Sequence, residues 1–98
     1  MTIPVRFVED SERVYCSFPF DRMVLKYLHA RLPEEGMSRD AGLGWQKELG
    51  CFVFRTEDWP MAETAIAHGL NGQAVWECCD NTRQFSPTLH EILKGLDK

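Results

Sequence analysis

The chain has 98 residues, 44% of them hydrophobic and 11% aromatic, which allows one small domain and leaves no material for a second core. Its apolar runs are far too short to span a membrane. Fifteen acidic residues against eleven basic ones leave a net charge of −4, a balance that opposes polyanions and suits a partner with a basic surface.

The N-terminal stretch MTIPVRFVEDSER has no basic segment leading into an apolar one, so no secretory signal is read there and the expected location is cytoplasmic. Ile3 to Val8 alternates loosely and predicts a first strand, with Pro4 placing it near a sheet edge. The polar turn Glu9–Glu12 leads to a second strand over Arg13–Phe18, with Val14, Cys16 and Phe18 on one face and Tyr15 and Ser17 on the other. Phe18-Pro19-Phe20-Asp21 stops that strand, and Asp21 caps a helix carrying Val24, Leu25, Leu28 and Leu32 on one stripe until Pro33 ends it. Glu34 to Gly44 has no sustained apolar period and reads as a long loop.

Trp45 to Arg55 predicts a second hairpin, turning at Lys47–Gly50, with Phe52 and Phe54 on one face and Cys51 and Val53 on the other. Thr56 or Asp58 caps the next helix, Pro60 occupies its first turn, and Ala62, Ile66, Ala67 and Leu70 face inward until His68-Gly69 ends it. Asn71-Gly72 turns into a last strand over Gln73–Cys79, centred on Val75 and Trp76. A polar loop over 80–84 precedes Ser86-Pro87, a cap and first-position pair opening a helix with Leu89, Ile92, Leu93 and Leu96. The order ββαββαβα predicts a single α+β domain over residues 1–98, with helices on one face of a mainly antiparallel sheet. Its expected core is Val14, Cys16, Phe18, Val24, Leu25, Leu28, Phe52, Phe54, Ile66, Leu70, Trp76, Leu89 and Leu93.

No motif demands catalysis. Cys16, Cys51, Cys78 and Cys79 form no CxxC, and two of them sit inside apolar strands where free Cys acts as a small hydrophobe. His29, His68 and His90 are far apart in sequence, and the glycines compose no nucleotide cradle. The chain therefore reads as non-enzymatic, with thiol cysteines, no metal and no cofactor. Of the aromatics, Phe18, Phe20, Phe52, Phe54, Trp59 and Trp76 are assigned to the core, while Tyr15 and Trp45 are the ones placed to stack on a ligand.

From Val14 to His68 the pattern resembles the HARP-type domains that accompany annealing helicases. The resemblance is carried by VYCSFPFD leading into VLKYLHARLP, then by GWQKELGCFVF and DWPMAETAIAHG. It implies a β-α-β-β-α core and binding to single-stranded or structured DNA. Arg13, Arg22, Lys26, Arg39, Lys47 and Arg55 would then meet phosphates, and Tyr15 or Trp45 would stack on bases. The chain carries no helicase motor.

The acidic charge points instead to a protein partner, and small acidic proteins without motifs are similar as a class to phage-encoded inhibitors of host defence, such as those directed at a CRISPR effector. On that leading expectation the chain is a protein-binding regulator or inhibitor, with Glu34, Glu35, Asp40, Glu57, Asp58, Glu63, Glu77 and Asp80 as its acidic contacts.

Overall fold

Four consecutive residues, Cys51, Phe52, Val53 and Phe54, are all buried. Side chains alternate between the faces of a strand, so a continuous buried run requires both faces of the sheet to be covered. The computed structural model describes residues 2–19 and 21–96. Phe20 and the side chain of Leu96, both named above, lie outside what is described.

The elements are β1 (Ile3–Glu9), β2 (Arg13–Ser17), α1 (Arg22–Arg31), β3 (Gly44–Gln46), β4 (Cys51–Arg55), α2 (Trp59–Gly69), β5 (Ala74–Cys78), α3 (Thr82–Phe85) and α4 (Pro87–Leu96). They build an α+β fold on a five-stranded sheet of order β3-β4-β2-β1-β5. Its neighbours are antiparallel except β1 and β5, which run parallel. Pro4 is not at an edge, because β1 lies between β2 and β5. Its missing N–H is tolerated there because the pairing with β2 begins only at Arg6, opposite Ser17.

One face carries Val5, Val14, Cys16, Phe52 and Phe54 against Val24, Leu28 and Leu32 and against Trp59, Ala62, Ala65, Ile66 and Leu70. Asp21 starts α1 by accepting from the backbone N–H groups of Met23 and Val24 at 2.8 and 3.3 Å. In α2 the inward positions include Ala65, whereas Ala67 is only half-buried.

The other face corrects the expectation that all helices share one side. Val8, Tyr15, Cys51 and Val53 pack there with Leu43, Phe85 and Leu89, so α3 and α4 cover the surface that the alternation of β2 left to solvent. Residues 82–84, read as loop, form one helical turn with Phe85, capped by Asn81, whose Oδ1 accepts from the Gln84 N–H at 3.0 Å. That turn buries Phe85. The Ser86 hydroxyl accepts from the Leu89 N–H at 3.2 Å and starts α4 as its sequence predicts.

Helices α1 and α2 meet where no side chain fits. A Cβ at Gly69 would stand 2.5 Å from the Val24 Cα and 2.7 Å from its N. Backbone cannot yield as a flexible side chain does, so the helices approach this closely only through glycine. Gly69→Ala is therefore expected to cost about 1–3 kcal/mol, the usual range for overpacking. Urea unfolding checks this: the midpoint falls while the slope stays unchanged.

Candidate nucleic-acid interface

Trp45 is the starting point because it is large, apolar and 44% exposed. It occupies the middle of the short edge strand β3, directly opposite Phe52. The two rings meet at 5.3 Å with a 59° tilt, so Phe52 supports the indole from behind. Phe52 is itself held between Phe18, stacked at 5.2 Å, and Phe54 at 6.0 Å. The indole is thus backed by packed rings, and its outer part is exposed.

A groove of about 500 Å³ opens beside this ring, lined by Phe18, Leu25, His29, Met37, Arg39, Trp45 and Phe52. Its floor is apolar, and its polar groups come from α1 and from the segment before β3. Arg22, Lys26 and His29 recur at one helical side of α1, the side that brings Leu25 and His29 to the groove. Lys47 lines a smaller neighbouring hollow, which shares Trp45 and Arg39 with the groove and also holds Asp40, Gln46 and Glu48. Among the described residues no ion pair engages Arg22, Lys26, Arg39 or Lys47.

The other expected phosphate contacts are committed elsewhere. Arg13 donates to the carbonyl oxygens of Gly42 and Ala41 at 3.1 and 3.2 Å, tying the 39–44 segment to β2. Arg55 donates from Nε to the Asp58 carboxylate at 2.6 Å and lies 3.8 Å from Glu57. Tyr15 is buried under the second helical layer and has no free face for a base.

The acidic residues are also sorted by the structure. Asp58 is only 3% exposed, which removes it from any contact surface. It stands at the start of α2 without making the expected side-chain cap, because its carboxylate faces Arg55 instead. That hydrogen bond, opposed by desolvation and helped by the charges of Asp58, Glu57 and Glu35, raises the Arg55 guanidinium above its ordinary value. Glu77 is paired with Arg6 at 3.8 Å. Glu34, Glu35, Asp40, Glu63 and Asp80 are exposed, and among the described residues they enter no ion pair.

Residues 34–41, read as loop, form two short 3-10 turns, Glu34–Met37 and Arg39–Ala41. They deliver Met37 and Arg39 to the groove. No local sequence signal marks this, since both residues depend on where the segment is pinned to β2 and β3.

Among the described residues no group of three or more His, Cys, Asp or Glu side chains could hold a metal ion. Cys16 and Cys51 are buried on opposite faces of the sheet. Burial pushes the Cys51 thiol up to about 12. Burial, then the charges of Cys51 and Glu63, raises Cys16 further still. Among the described residues no helix is long and apolar enough to cross a membrane. Comparison with family models, curated proteins and solved structures gave no match.

The two buried thiols give a pH dependence of defined sign. The unfolded chain ionises a thiol near its ordinary value of 9.0, whereas folded Cys51 holds its proton to about 12. This contribution is whole below pH 9.0 and is lost as the pH rises toward 12. Urea unfolding from pH 8 to about 10.5 should show falling stability, with a shallower fall in Cys51→Ala. In native protein a thiol reagent should modify Cys78 and Cys79 rapidly and reach Cys16 and Cys51 only on unfolding.

Proposed function

We propose that the protein binds single-stranded nucleic acid in the Trp45 groove. The observation that carries this reading is the exposed indole backed by packed rings, with Arg39 lining the groove, Lys47 in the adjoining hollow, and Arg22 and Lys26 on the same helical side of α1 as Leu25 and His29; none of the four is held in an ion pair among the described residues. Stacking needs an unpaired base, and phosphate attraction needs cations that are not already neutralised. Asp40 and Glu48 share the hollow of Lys47, and Glu34 and Glu35 border Met37, so four carboxylates stand against the four cations here. The net charge of −4 therefore does not decide the sign of the local field. Trp45 supplies stacking, the four cations supply phosphate contacts, and the apolar floor receives the sugar or base edge.

The salt dependence of binding tests the reading. Each single-strand phosphate contact contributes a slope of about −0.7 in log affinity against log salt, so four cations allow a slope no steeper than about −2.8. Trp45→Ala should cost about 1–3 kcal/mol of binding energy with the slope unchanged. Arg22→Ala with Lys26→Ala should flatten the slope by about 1.4. Anisotropy of a labelled oligonucleotide measures both. Absence of single-strand binding even at low salt defeats the proposal.

A second reading is supported by Glu34, Glu35 and Glu57, which remain exposed around the start of the first 3-10 turn and the cleft it shares with Arg13 and Arg55. This surface fits a basic protein partner and would make the chain a regulator or inhibitor. Charge reversal at Glu34 and Glu35 should then abolish retention of a basic partner without changing the thermal midpoint. Retention that survives the reversal rules this surface out.

A further inference from the structure

We infer that Glu34 and Glu35 make the groove selective for an unpaired strand over a duplex, an inference that rests on reading the Trp45 groove as the binding site. Met37 lines that groove and also an adjoining hollow formed with Glu34, Glu35 and Ser38. The flank at Met37 therefore carries carboxylates and no cation, whereas the 39–48 side mixes Arg39 and Lys47 with Asp40 and Glu48, and α1 adds Arg22 and Lys26.

The acidic flank is held in place. The Gly36 N–H donates to the Pro33 carbonyl at 2.9 Å, and the Leu43 N–H donates to the Ser38 carbonyl at 2.9 Å. Gly36 is buried, and a Cβ there would stand 2.6 Å from the Asp58 Oδ2. The turn thus rests directly on the Arg55–Asp58 pair, with the two glutamates projecting outward from a fixed base.

A single strand presents one line of phosphates and can follow the cations past Trp45. A duplex carries one negative charge per ~1.7 Å of axis, and its second strand must lie alongside the first. Phosphates brought over the Met37 flank come within the ~10 Å range at which exposed charges still act at moderate salt. Two carboxylates carried on that anchored turn penalise the duplex and leave the single strand nearly untouched.

The experiment compares a labelled oligonucleotide with its own duplex, by anisotropy at fixed salt, for the wild type, Glu34→Gln/Glu35→Gln and Trp45→Ala. A control, Asp80→Asn/Glu91→Gln, removes the same net charge at exposed positions in the β5–α3 connection and on α4. The Glu34/Glu35 variant should reduce the preference for single strand by about tenfold, mainly by improving duplex binding. The control should leave the preference unchanged. If the preference does not move, or if the control moves it equally, the inference is overturned while the groove stands. If the wild type binds no single strand, or Trp45→Ala binds as well as wild type, the groove reading fails and this inference falls with it.

Discussion

An unbroken series of ring contacts runs across the sheet and organises the molecule. From Trp45 it passes to Phe52 at 5.3 Å, to Phe54 at 6.0 Å, to Trp59 at 6.0 Å and to Trp76 at 6.0 Å. Phe7 joins the far end, 5.3 Å from Trp59 and 6.1 Å from Trp76. Tilted, stacked and edge contacts of this kind add about 0.5–1.5 kcal/mol each beyond the area they bury. The rings link β3, β4, β1 and β5 to the first turn of α2, so the edges of the sheet and one helix are set by the same packed row. A small domain has few buried residues to spend, and large rings make the most of them.

The row ends differently at its two edges, and that difference produces the candidate site. At β5, Trp76 is half-buried against Phe7 and Trp59. At β3 the strand is only three residues long and α1 leaves a groove beside it, so Trp45 is supported on one side and open on the other. Rigid support with an open face is what a stacking platform requires, because the ring loses little freedom when a ligand arrives.

The Arg55–Asp58 pair has a complementary part. It joins the end of β4 to the start of α2, and it forms the base on which the Glu34–Met37 turn rests through Gly36. A buried carboxylate needs a partner, and Arg55 supplies it at 2.6 Å. Through this arrangement a charge pair inside the domain determines where two surface glutamates and Met37 stand. Arg13 does the same for the following turn by bonding the Ala41 and Gly42 carbonyl oxygens.

Local pattern determined much of this protein. Alternation over 13–17 and 51–55, the Asp21 cap, Pro60 in the first turn and Ser86-Pro87 before the last helix each act within a few residues, and each element formed where those signals lie. The exposure of Trp45 was also legible, from its place after a glycine-rich segment. What distant segments do to one another was not. Tyr15 reads as a solvent-facing strand residue until α3 and α4 fold back over it. Asp58 reads as a cap until Arg55, three residues earlier, claims its carboxylate. Pro4 reads as an edge signal, although β5 returns from the far end of the chain to pair with its strand. Periodicity specifies which side of an element is apolar, but only the tertiary structure decides what covers that side, and hence which charged and aromatic groups remain free to bind.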